Sequence, residues 1–121
     1  MMTETFAGVT LPAISDDFMR ENLAKTKQYV LVLLKIARPV SGSDRPIIWE
    51  HGRRNFALRE SGLMPIVCPV ADDSDLAGAC VLVVEADEAA RMMDADPAVR
   101  AGIFTYEIHS ARGFPGSALP A

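Results

Sequence analysis

His51 is the side chain in this sequence best suited to moving a proton near neutral pH. At about 100° per residue, Ile47, His51 and Leu58 fall in one narrow stripe of a helix, while Trp49 and Phe56 lie on another face. The imidazole therefore points with the aliphatic residues toward an interior. An unpaired ring there costs on the order of 1–3 kcal/mol, so it needs a hydrogen-bond partner or a wet cavity. A carboxylate beside it would let the ring accept a proton and return it. The candidates are Asp72, Asp73 and Asp75 in one polar stretch, and Asp96 before Pro97. Each also has an ordinary structural use. Acidic residues populate surface turns, and Asp-Pro is a helix-capping pair. His51 itself fits a satisfied core histidine, and spacing alone leaves these alternatives open.

Other constellations say less. Glu107 and His109 share the polar side of an alternating segment, as expected of a wet sheet surface. Arg45, Arg53, Arg54 and Arg59, interleaved with Glu50 and Glu60, read as a solvated helix face. Cys68 and Cys80 are placed to face each other across a hairpin centred near Ser74, as free thiols. Two cysteines twelve apart and two distant histidines make no zinc pattern, and no cofactor is implied. Neither a GxGxxG, nor a P-loop, nor a serine nucleophile elbow is present, which excludes kinases, dehydrogenases and α/β-hydrolases.

These residues need a scaffold, and the chain has material for one domain: 121 residues, half of them apolar. Tyr29–Ile36 is apolar on both alternating faces, as in a strand covered on both sides. Ser43 or Asp44, with Pro46 in the first turn, starts a helix that runs to about Ser61 and stops at Gly62. Leu63–Val70 is a second strand, placed at a sheet edge by Pro65 and Pro69. Ala79–Glu85 is a third, Asp87 caps a helix through about Ala95, and Ile103–Arg112 is a fourth strand. The order is β-α-β-β-α-β, an α+β, ferredoxin-like pattern.

Residues 1–27 precede that domain as an extension with a short helix, capped near Ser15 and expected to pack on it. The domain proper spans 28–113, and 114–121 is a Gly/Pro-rich tail. Two short helices cover only one face of the sheet, so the other calls for a second copy, a homodimer. Net charge is −4 with the signs interspersed, which argues against nucleic acid or acidic lipid as a partner. The absence of a long apolar run or a signal-like start gives the expectation of a soluble, cytoplasmic protein without a membrane partner.

Three stretches belong together: His51-Gly-Arg-Arg-Asn-Phe-Ala-Leu58 with Glu60-Ser-Gly62-Leu63, then Cys68-Pro69, then Ala86-Asp-Glu-Ala-Ala90 leading into Asp94-Ala-Asp96-Pro97-Ala-Val99-Arg-Ala101-Gly102. Together they resemble the YCII-related (YciI-like) domain family over about residues 28–112. The resemblance implies a dimeric α+β barrel of two face-to-face sheets and a site that pairs a helix histidine with an aspartate. His51 takes the first role. Asp72 or Asp73 takes the second, with Asp96 as another acidic wall of the cleft. Two departures are Cys68, where the family usually has Gly, and the short loop after Pro69. Relatives of this kind include a lyase that removes chloride from a chlorinated hydroxyquinol, and similar barrels host isomerases and cofactor-free monooxygenases.

The function expected is cofactor-free lyase or isomerase chemistry on a small molecule, with His51 as general acid/base and a carboxylate that orients it. The alternative is a non-catalytic dimeric module that binds a small molecule. A haem- or metal-assisted oxygenase is weaker, for want of a ligand set.

Overall fold

The computed structural model describes residues 3–121. The elements in chain order are β1 (Thr5–Phe6), β2 (Val9–Thr10), α1 (Asp16–Leu23), β3 (Lys27–Ile36), a 3-10 turn (Gly42–Asp44), α2 (Arg45–Glu60), β4 (Ile66–Pro69), β5 (Leu76–Leu82), α3 (Ala86–Asp94), α4 (Pro97–Arg100) and β6 (Phe104–Gly113). The last four strands form one antiparallel sheet in the order β4-β5-β3-β6. This α+β arrangement is compatible with the ferredoxin-like fold, with α4 as an extra turn before β6. The aliphatic run of β3 takes a central place, and the proline-bearing β4 lies at an edge where a missing N–H costs no ladder bond.

One face of the sheet carries the core. Val30 and Val32 of β3 and Cys80 and Leu82 of β5 pack with Met64 and with Ala89, Met92 and Met93 of α3. A second cluster joins Leu34, Phe104, Ala98 and Ile103, with Ile47 and Ile48 of α2 against it. Strand alternation sends Leu31, Leu33, Ala79 and Val81 to the other face, where they are only half-buried.

The structure departs from the sequence reading at three places. The third strand is shifted toward its N-terminus, ending at Leu82. Val83 leaves the ladder because its N–H is taken by the Leu63 carbonyl at 2.9 Å. Cys68 and Cys80 do not face each other: Cys68 pairs with Ala79, and Cys80 with Val67. That one-residue offset puts the two thiols on opposite faces of the sheet.

The extension, expected to pack on the domain, does not. Its hairpin, turned at Ala7 and Gly8 with positive φ, is exposed, and α1 has no buried residue. Ser15 caps α1 as expected, through its Oγ and the Phe18 N–H at 3.1 Å. However, the helix-facing side of β3 is already filled by residues of the domain, and Phe18, Met19 and Leu23 remain exposed.

Candidate functional site

The site begins with the anchoring of α2. Asp44 accepts two N–H groups from Arg38 (2.8 and 3.0 Å) and the Ser41 N–H (2.9 Å). Those donors, Arg38 first, hold its carboxyl well below the usual carboxylate range. Asp44 therefore ties the start of α2 to the chain leaving β3 instead of capping α2 with its side chain. Set this way, α2 turns Ile47, Ile48 and His51 inward and leaves Trp49 and Phe56 exposed.

His51 meets a carboxylate. Its Nδ1 lies 2.7 Å from Oδ1 of Asp96, with side chains 14% and 3% exposed. Asp96 is also the N-cap of α4: its other oxygen, Oδ2, accepts the N–H groups of Ala98 (3.0 Å) and Val99 (3.2 Å), and Pro97 follows at the first helical position. The capping use and the histidine-facing use of Asp96 are therefore compatible, one per oxygen. Burial pushes this carboxyl up. The His51 hydrogen bond and charge and the two α4 amides outweigh it, leaving the group below its ordinary value and ionised at neutral pH.

An ionised Asp96 only accepts, so Nδ1 of His51 carries the proton and donates it. In the neutral ring Nε2 then bears a lone pair, which takes the Asn55 side-chain N–H at 3.2 Å. The Phe104 ring stands edge-on to the imidazole, with centroids 5.2 Å apart, and limits its tilt. Arg54, read from sequence as solvated, instead turns in: one guanidinium nitrogen donates to the Met92 carbonyl at 2.6 Å. The other lies buried 3.6 Å from Asp96 Oδ1 without a hydrogen-bond partner.

His51, Asn55 and Asp96 form the polar wall of a cavity of about 270 Å³ between α2 and the sheet. The rest of its lining is mainly apolar, with Leu34, Met64, Val67 and Phe104 among the contributors. A cavity of about 150 Å³ is enough for benzene, so this one accommodates a substituted single ring. A mostly apolar hollow with a few converging polar groups is the usual form of a small-molecule site.

The loop aspartates are elsewhere. Asp72 closes its own turn by accepting the Ser74 N–H at 2.9 Å, and Asp72, Asp73 and Asp75 are all exposed. None of the three lines the cavity. The turn closes on itself beyond the ends of β4 and β5, so the carboxylate at the ring is Asp96. Glu107 and His109, 3.3 Å apart, lie on the open side of the sheet, where Glu107 also binds Lys35 at 2.7 Å. Asn55 escaped notice in the sequence, although its place four residues after His51 puts it on the same helix face. Arg54 carried no such signal, since its inward turn depends on where α3 ends.

Among the described residues, no cluster of His, Cys, Asp and Glu has the arrangement of a metal site, and no helix is long and apolar enough to cross a membrane. No protein-family model matches the sequence, and a search of curated proteins finds no match. Among solved structures, the chain is similar to the 5-chloro-2-hydroxyhydroquinone dehydrochlorinase TftG of Burkholderia phenoliruptrix AC1100, in complex with 2,5-dihydroxybenzoquinone. The identity is 22%, covering 66% of this chain and 90% of that one, with a TM-score of 0.45.

Proposed function

We propose that the protein is a small-molecule lyase or isomerase of the YCII-related kind, working by proton transfer through His51. The observation that carries this reading is the His51–Asp96 pair at the wall of a largely apolar, ring-sized cavity. Nε2 of His51 takes a proton from an acidic C–H or O–H of the bound molecule. Asp96 keeps the other nitrogen protonated and stabilises the imidazolium that results. The same Nε2–H then returns the proton at a second position, which completes an isomerisation. In an elimination the C–H electron pair forms the new double bond, the leaving group departs with its own bonding pair, and Nε2–H passes its proton to that group or to water. Asn55, displaced from Nε2 by the ligand, is free to donate to a ligand oxygen as negative charge develops on it.

In this reading residues 28–113 are the functional domain and 114–121 a tail. The protein works in the cytoplasm as a homodimer, with the half-buried face of Leu31, Leu33, Ala79 and Val81 covered by a second copy. Asp72 and Asp73 have no part in the chemistry.

The test is incorporation of solvent deuterium into cyclic enolisable ligands such as unsaturated lactones and hydroxyquinols, followed by NMR. His51→Ala is expected to lower the exchange rate by about 10²–10⁴-fold. Equal rates for the two proteins would remove His51 from the mechanism. A second reading, a binding module without chemistry, draws on the Asn55 bond that already occupies Nε2. Saturable binding of such ligands with no exchange in the unmodified protein would favour it.

A further inference from the structure

We infer that the N-terminal arm of one chain docks on the outer face of α2 of a second copy, against the wall of the second copy's cavity. Arg45, Trp49, Gly52, Arg53 and Phe56 form a stripe along α2 and, with Ile48, line a surface groove. Trp49 is 70% exposed and Phe56 63%, an unusual placement for the only tryptophan of the chain and a neighbouring phenylalanine.

Gly52 marks the floor of this groove. Glycine weakens a helix interior relative to alanine, and a Cβ built on Gly52 meets nothing within 4 Å among the described residues, so no packing neighbour there requires a glycine. A notch between two exposed aromatic residues is useful to an incoming side chain. Ile48 and Gly52 also line the cavity that holds His51, so an occupant of the groove rests on a wall of that cavity.

The arm has the complementary character. Phe18, Met19 and Leu23 of α1 are exposed, as are Ile14 and Leu11 before it. The helix carries Asp16, Asp17 and Glu21 against a single Arg20. The groove is lined by two arginines and no acid; Glu50, 3.2 Å from Arg53, stands beside it. An acidic amphipathic helix thus faces a basic, aromatic groove of the same sequence. Exchange between copies follows from the link to β3. Ala24–Thr26 is a three-residue turn, closed by the Ala24 N–H on Arg20, the Lys25 N–H on Asn22 and the Thr26 hydroxyl on Leu23. With that turn formed, α1 has no buried residue, and Phe18, Met19 and Leu23 are left exposed within the chain for a second copy to cover.

Trp49 provides the assay, because its emission and its quenching by acrylamide report the groove alone. The 121-residue chain is expected to show a blue shift and loss of quenching as concentration rises, in step with a larger mass by sedimentation. The paired substitution Phe18→Asp with Leu23→Asp, on residues exposed within the chain, is expected to abolish the shift while circular dichroism stays unchanged. Mixing that variant with a Trp49→Phe chain, whose arm is intact and whose tryptophan is gone, restores the shift if the arm acts between copies. Shielding of Trp49 in a monomer, failure of the mixture to restore it, or shielding that survives the arm substitutions would each overturn the proposal. So would a Trp49 that stays quenchable at every concentration. None of these outcomes depends on catalysis, so a failure here is separable from a failure of the proton-transfer reading.

Discussion

Removing His51 leaves the Asp96 carboxylate in a place where it is almost fully buried, and the size of the loss can be worked from its contacts. Asp96 keeps the two α4 amides on Oδ2 and has Arg54 at 3.6 Å, but Oδ1 loses its donor at 2.7 Å. Breaking a buried ion pair by deleting one partner costs about 3–5 kcal/mol, and losing a hydrogen bond to a charged group about 1.5–3 kcal/mol. With the carboxylate still partly satisfied, His51→Ala is expected to cost about 2–3 kcal/mol, a fall in Tm of roughly 6–15 °C for a domain of this size. Asp96→Asn keeps a cap acceptor but sets an amide against Nδ1, for about 1–3 kcal/mol. The two changes act on one contact, so the double variant is expected to fall short of their sum by about 1–2 kcal/mol. Urea unfolding followed by circular dichroism measures all four proteins. Losses that add to within about 0.5 kcal/mol would show that ring and carboxylate do not interact, and the orientation argument would fail with them. The pH dependence has a definite sign. Because the folded carboxyl of Asp96 lies below its unfolded value, its contribution is complete above about pH 4 and disappears as pH falls through the folded value. The stability gap between the natural protein and Asp96→Asn therefore narrows in acid.

Three further outcomes are expected. Asp44, held low by Arg38, likewise stabilises the fold above its unfolded pKa of about 4 and ceases to do so in more acid solution. Urea midpoints plotted against pH are thus expected to fall less steeply in acid for Asp44→Asn. Cys80, whose thiol burial and the neighbouring Cys68 push up to about 11, is expected to resist alkylation at neutral pH while exposed Cys68 reacts, as read by peptide mass spectrometry. Leu33→Lys, on the half-buried face of the sheet, is expected to reduce a sheet-paired dimer to monomer in sedimentation without loss of secondary structure when the arm contact is also removed by Phe18→Asp with Leu23→Asp; a mass unchanged from that of the arm variant alone would place the second copy elsewhere.

Much of the domain was legible from local chemistry. The doubly apolar run at Tyr29–Ile36, the edge-marking prolines Pro65 and Pro69, and the Asp96-Pro97 cap each carry their structural consequence within a few residues. The inward stripe of His51 follows from helical period alone. What sequence could not supply was distance through space. Asp96 is 45 positions from His51, and only the packing of α4 against α2 makes it the nearest acid in place of the loop aspartates. The thiols failed for a related reason: a hairpin register displaced by one residue reverses which side each residue occupies. The apolar residues of the extension signalled a need for burial without saying against what, and the domain itself does not meet that need.

The division of Asp96 between two tasks couples the short helix to the imidazole. When the first turn of α4 frays, the amides of Ala98 and Val99 let go of one oxygen and the carboxylate is free to rotate away from the ring. Helix integrity and the orientation of the imidazole then rise and fall together. The acidity of this carboxylate is therefore set in part by the turn that holds it, through the two amides on Oδ2.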